Sequence, residues 1–303
     1  MNTKQLIKLC WLTVCFIAIT SVTNAQGDLM DLLNDEPATT YTYSTFKTTR
    51  ISLGQSVENP ANGNLVFDIQ HHFGRINEGA YEFFGLDQAT LRLGLQYGIT
   101  DWLSVGIGRS SFEKTYDGSV KAKILRQSKG EINMPVSISY FGNIGINTLK
   151  FDDTLRTNYF SSRLSFTNQL LIARKFSNAV SLQLTPTFIH RNLVEREIDD
   201  NDVWALGAGG RFKLSNRVSL NLEYYYILSK QTSKDFQDSF TIGFDIETGG
   251  HVFQLFLTNS RGIIEQHFIA RTTGDWLKGD IHFGFNISRT FVLIKPKEFR
   301  DNN

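Results

Sequence analysis

From Ala89 to Ile99 the chain reads ATLRLGLQYGI, with Leu91, Leu93, Leu95, Tyr97 and Ile99 alternating with Thr90, Arg92, Gly94, Gln96 and Gly98. A strand turns successive side chains to opposite faces, so this spacing makes one face wholly apolar and leaves the other able to meet water. Val218, Leu220, Leu222, Tyr224, Tyr226 and Leu228 alternate in the same way with Ser219, Asn221, Glu223 and Tyr225, and so do Phe240, Ile242, Phe244 and Ile246 with Thr241, Gly243, Asp245 and Glu247. The pattern returns in about 12 segments, from Asn64–Phe73 to Ile281–Leu293, which predicts an all-β, transmembrane, up-and-down antiparallel β-barrel. A soluble β-sandwich predicts an outer face rich in Lys, Glu and Thr. Here the polar face is instead Gly, Ser, Thr, Asn and Gln opposite continuous Leu, Phe, Ile, Val and Tyr.

The chain's ends agree with export. Lys4 and Lys8 precede an apolar run, Leu9 to Ile19, and then Thr23-Asn24-Ala25, which reads as a signal peptide over residues 1–25. That run is too short to span a bilayer. Neither Cys10 nor Cys15 follows the small residue that lipidation needs, and both leave with the leader, so no disulfide or thiol chemistry is expected. Losing Lys4 and Lys8 takes the formal charge from +1 to −1, and so near-neutral a chain has no bulk attraction to nucleic acid. The 24 Phe and 10 Tyr suit aromatic girdles at two membrane interfaces.

The connections set the topology. Thr100-Asp101, Ser177-Asn178, Ser215-Asn216 and Gly249-Gly250 read as tight turns whose Asn, Asp and Gly accept positive φ cheaply. Between them fall polar loops over residues 74–88, 143–160, 191–202, 229–239 and 259–280. Strict alternation of short and long puts both termini in the periplasm and requires an even strand count. Gly262–Arg271 is the stretch that, paired as extra strand, makes the count 14. The expected organisation is a leader (1–25), an N-terminal segment or plug (26–60), the barrel (61–294) and a tail (295–303). Asp28–Leu33 reads as a bare tether, too short for an isolated helix.

Two stretches, TFKTTRISLGQSVENPANGNLVFDIQHHFG (Thr45–Gly74) and TNSRGIIEQHFIARTTGDWLKGDIHFGFNISRTF (Thr258–Phe291), resemble the start and end of an uncharacterised bacterial outer-membrane β-barrel family. The resemblance implies an outer-membrane barrel of a two-membrane bacterium and no established activity. Outer-membrane lipid, lipopolysaccharide and the barrel-insertion machinery are the partners it implies. Exported c-type cytochromes and small lipid-binding β-barrels are loosely associated with the family, as a possible periplasmic partner. A terminal aromatic for insertion is supplied by either Phe291 or Phe299.

Parity sends Arg92, Lys121, Lys123, Arg163, Arg211 and Lys213 into the lumen, with Asp68, Glu223, Asp245 and Glu247. Two arrangements follow: opposed walls of charge that orient a solute, or inward charges that pair locally in a plugged interior. Arg211 and Lys213, one strand from Glu223, suit pairing. Tyr41–Pro60 either folds into the lumen or lies outside as a docking arm. The acidic loop with Glu195, Glu197, Asp199, Asp200 and Asp202 lacks the glycine turn and ligand order of a calcium loop and reads as solvated. His71 and His72 point to opposite faces, and no Gly-x-Ser-x-Gly elbow or His pair at zinc spacing occurs, so neither enzyme chemistry nor a metal or cofactor is expected. Three functions stand: a narrow channel for small solutes or ions, a non-conducting scaffold whose N-terminal arm docks a periplasmic protein, and an outer-membrane hydrolase.

Overall fold

Twelve strands close on themselves, as the alternation requires. In the computed structural model they are β1 (Asn64–Arg75), β2 (Ala89–Gly98), β3 (Leu103–Ser110), β4 (Tyr116–Leu125), β5 (Ser137–Ile146), β6 (Leu164–Lys175), β7 (Val180–Arg191), β8 (Asp202–Lys213), β9 (Val218–Ile227), β10 (Ser239–Thr248), β11 (His251–Thr258) and β12 (His282–Val292). The structure describes residues 38–151, 157–194, 196–228 and 235–294. The leader, Asp28–Leu33, Glu195, Phe299 and the tail lie outside them. Each strand pairs antiparallel with its sequence neighbours, and β12 closes the ring on β1. Among the described residues no edge of this ring is left unpaired, which is what lets a sheet stand in hydrocarbon. The count of 14 is overturned. Residues 262–271 add no strand and instead carry a one-turn helix, α1 (Glu265–Phe268).

Outward positions such as Leu93, Leu95, Ile107, Leu184, Leu206 and Phe244 are exposed, while inward Thr90, Arg92, Gln96, Asn221 and Glu223 are buried. The aromatics collect near the strand ends. At the end of the longer loops Phe73 stacks on Phe283, Phe188 packs tilted on Trp204, and Phe240 meets Trp276 edge to face. Trp102, Phe176 and Phe291 stand at the other.

The tight turns form where expected by a different device. Thr100, Ser177 and Ser215 accept a hydrogen bond through the side-chain oxygen from the backbone N–H of Leu103, Val180 and Val218, three residues on. None of the residues predicted for positive φ adopts it. Left-handed backbone appears instead at Glu113 and Lys114 (φ 53° and 49°), which close the short β3–β4 hairpin at the long-loop end. That hairpin, and the longer β4–β5 connection at the opposite end, break the strict short–long alternation. Within the latter, Ser128–Lys129 pairs with Thr40–Tyr41 just before the N-terminal segment enters the barrel.

Because Leu93 lies mid-strand on the outward face, Leu93→Arg is expected to destabilise the barrel in lipid vesicles by about 2–4 kcal/mol, measured by reversible denaturant unfolding.

Candidate functional site

The lumen is filled from both ends. Residues 44–60 enter from the short-turn end and fold back on themselves, with Arg50 and Gln55 bridged and the Ile51 N–H donating to the Gly54 carbonyl at 2.8 Å. Every backbone carbonyl from Thr48 to Glu58 accepts a hydrogen bond. Much of this comes from wall side chains. Lys121 Nζ donates to Thr49, Ser56 and Glu58, at 2.9, 3.1 and 3.2 Å. Asn221 and Gln254 both donate to Ile51, Asn286 to Ser52, Gln183 to Gln55, and Ser139 to Val57. The tip is held by Glu223, whose carboxylate accepts from the backbone N–H groups of Ser52 (3.0 Å), Leu53 (2.7 Å) and Gly54 (2.9 Å). A Cβ at residue 54 would strike the Tyr225 hydroxyl and that carboxylate, so glycine is the residue that fits.

From the long-loop end the β11–β12 connection turns inward, burying Ile263, Ile264, Phe268, Ile269 and Ala270 completely. The two inserts meet at Glu265. Its Oε1 accepts from Arg50 Nη1 at 3.1 Å and from Gln55 Nε2 at 2.8 Å, with both charged side chains at least 95% buried. Leu53 and Phe268–Ala270 pack with inward Ile189, Val203, Ala205, Tyr225 and Phe256 into an apolar cluster inside the barrel. Gly209 faces Ile51, and Gly207 faces the Tyr225 ring. The polar-lumen expectation is therefore corrected over part of β7–β11, where the insert's apolar residues need an apolar wall.

The expected lumen charges divide accordingly. Arg92 is inward and forked to Asp117 (Nε–Oδ1 2.9 Å, Nη2–Oδ2 2.6 Å) while donating to Gln70 at 2.8 Å. Asp68 is buried in the field of Arg50, Arg92 and Lys121. Asp245 accepts from Asn221 and Gln254. Lys123 stands 3.9 Å from Glu58, and Glu247 pairs with Lys47 near the short-turn mouth. Arg211 is buried on β8 and Lys213 sits at its short-turn end. Two placements are corrected. Arg163 falls in the turn before β6, where it donates to the carbonyls of Asn147 and Leu149, because the strand begins only at Leu164. Glu223 binds the plug tip rather than Arg211 or Lys213, since it stands across from Gly209, whose missing side chain leaves the plug room beside it. In place of two opposed charge walls, Arg92, Lys123 and Glu247 pair locally, while Lys121 and Glu223 hold the plug's backbone. His72 is buried inward and His71 faces out against Phe285, as their adjacency demands.

Several partners were not legible in the sequence. Asp117 precedes the segment read as strand, Arg50 and Gln55 lie in the stretch read as plug or docking arm, Glu113 falls between two expected strands, and Glu265, His267 and Arg271 lie in the stretch read as loop or extra strand. The one signal was the mixed polarity of Tyr41–Pro60, with Phe46, Ile51, Leu53 and Val57 spaced for burial. In the acidic loop, Asp199 and Asp202 pair with Arg196 and His190.

At the long-loop end Glu113 accepts from Arg271 at 2.7 Å and lies 3.4 Å from His267 Nε2. Burial works to raise its carboxyl, but the His267 hydrogen bond and the charges of His267 and Arg271 outweigh it and hold it at about 2. Burial pushes the His267 imidazole down, so the persistent cation in this clamp is Arg271.

These features define a closed, membrane-spanning β-barrel whose bore is filled by its own chain. The protein belongs to the membrane bound beta barrel domain family DUF5777, whose model matches residues 46–291. Among solved structures it is similar to the NanC porin (6% identity, 76% of this chain and 100% of that chain, TM-score 0.46). It is also similar to the KdgM porin (9%, 75% and 98%, TM-score 0.44) and to the Acinetobacter baumannii outer membrane protein Omp33 (9%, 78% and 100%, TM-score 0.38). The search of curated proteins found no match.

Replacing Glu223 by Gln keeps one acceptor oxygen but turns an amide N–H₂ toward at least one of the three backbone donors, and is expected to cost about 1–3 kcal/mol in denaturant unfolding. The Glu113 clamp carries its own pH signature. A carboxyl held below its ordinary value of 4.5 stabilises above that value and loses its contribution as pH falls toward 2. The stability difference between wild type and Glu113→Gln should therefore be flat above pH 5 and shrink between pH 4 and about 2, read from unfolding midpoints.

Proposed function

We propose that this protein is an outer-membrane channel for small solutes or ions, held shut by its N-terminal segment, with both termini on the periplasmic side. The observation that carries this reading is how the plug is bound. Its backbone is held largely by Lys, Asn, Gln, Ser and Glu side chains of the wall, and water can take over each such hydrogen bond when the segment leaves. A plug fixed to the wall mainly by apolar packing would leave a dry void and would be a permanent core. The interlock between the two inserts is concentrated at Glu265, so opening breaks one buried ion pair and the apolar cluster beside it, together with the wall hydrogen bonds and the packing of Phe46, Ile51 and Val57 with Ala173. Cavities of about 350 Å³ at the short-turn end and about 400 Å³ at the long-loop end flank the inserts, and they are the mouths of the proposed path.

A second reading, a scaffold that docks a periplasmic protein, draws on Tyr41 and Tyr43, exposed at the short-turn mouth with the Arg126 guanidinium over both rings. Under that reading a photo-cross-linker at Tyr43 captures one defined protein and the barrel never conducts.

In planar bilayers the intact protein should be silent or open rarely, deletion of residues 41–60 should give steady discrete conductance, and Arg92→Glu in that background should alter ion selectivity. A silent bilayer from the deletion protein, folded as judged by heat-modifiable migration, would exclude the channel.

A further inference from the structure

Arginines crowd the long-loop end. One cavity there, about 400 Å³, is lined by Arg75, Arg196, Arg261 and Arg271 against a single carboxylate, Glu78. A second, about 260 Å³, shares Phe236, His267 and Arg271 with it and adds Lys150, Arg163 and Arg191 against Glu113 and Asp199. Asp280 and Asp235 pair with Arg75 and Arg196, and among the described lining residues and these partners the cations still outnumber the acids. Such an excess in a partly enclosed space raises the local concentration of anions, and guanidinium forks match carboxylate and phosphate oxygens two at a time. Arg261 is the clearest donor. Its Nε reaches Thr90 Oγ1 at only 3.4 Å, and its guanidinium lies over the Phe112 ring at 5.9 Å, near the outer limit of about 6 Å for such a contact. Phe112 and Phe236 add apolar lining, which suits an anion on a carbon skeleton.

We propose that this double cavity is a binding site for a compact soluble polyanion bearing carboxylate or phosphate groups, with Arg261 and Arg271 as its principal ligands. An anion held by Arg271 competes with Glu113 for the same guanidinium, and Arg271 and His267 belong to the inward turn whose Glu265 grips the plug. Binding is thereby linked to the segment that closes the bore. The site itself does not depend on conduction and is read whether or not the plug ever moves.

The test is calorimetric titration of the full folded chain in detergent with citrate, with inorganic phosphate and with an uncharged disaccharide, at fixed ionic strength. Saturable citrate or phosphate binding is expected, with no response to the disaccharide. Arg261→Gln and Arg271→Gln should each weaken it at least about tenfold. Lys278→Gln, on the exposed turn beside the cavities, should leave it unchanged. Among the described residues Arg261→Gln disturbs a long hydrogen bond and a ring contact, so it decides the matter if Arg271→Gln fails to fold. Absence of saturable anion binding, equal binding by wild type and Arg261→Gln, or an equal loss in Lys278→Gln would overturn the site. Binding confined to lipid A in mixed micelles would reassign these arginines to lipopolysaccharide phosphate and overturn it as well.

Discussion

A polypeptide inside a closed barrel must find a partner for every backbone N–H and C=O, because neither the wall's backbone nor the lipid beyond it supplies one. The carbonyls of residues 48–58 all meet that demand without joining the sheet. They are taken by the amide, ammonium and hydroxyl side chains that the inward parity of β4–β12 places around them, and by contacts within the segment itself. The dyad that makes the outer face apolar therefore also builds the plug's receptor. Each such bond contributes about 0.5–1.5 kcal/mol, so the hold is strong collectively and divisible singly.

The apolar part of the interior has a narrower purpose. Leu53 at the plug tip and Phe268–Ala270 from the opposite insert meet over Tyr225 and Phe256. Glycines at 207, 209 and 243 give these large groups the space a narrow barrel otherwise lacks. Around Glu265 the buried ion pair with Arg50 is offset by the Gln55 amide and by the Arg50 bond to the Leu53 carbonyl. A buried pair of this kind adds little net stability, yet breaking one side is costly, so it specifies which partner segment may sit there.

The barrel was legible because period-two alternation is a local property, and strand limits fell within a few residues of those read from the chain. The inward charges on β1–β4 and β8–β10 were legible for the same reason. Partnership was not. Whether Glu223 answers Arg211 or three backbone N–H groups depends on a segment about 170 positions earlier in the chain entering the bore, and no periodicity encodes that. The Glu113–Lys114 turn was hidden because its two left-handed residues are not Asn or Gly. Residues 262–271, short and apolar, read equally well as strand or insert, and only the closed ring of twelve leaves them no edge to join. The two stretches that carry the family resemblance are those that supply the two inserts, which is where this barrel departs from a plain tube.

The most direct measurement of plug occupancy uses the absence of cysteine after residue 25. Ser52 is 1% exposed at the plug tip, so Ser52→Cys places a single thiol inside the bore. In the folded protein in its native membrane that thiol should resist a water-soluble maleimide and react only after denaturation. A thiol that reacts freely in the folded protein would place Ser52 outside the lumen and contradict the account.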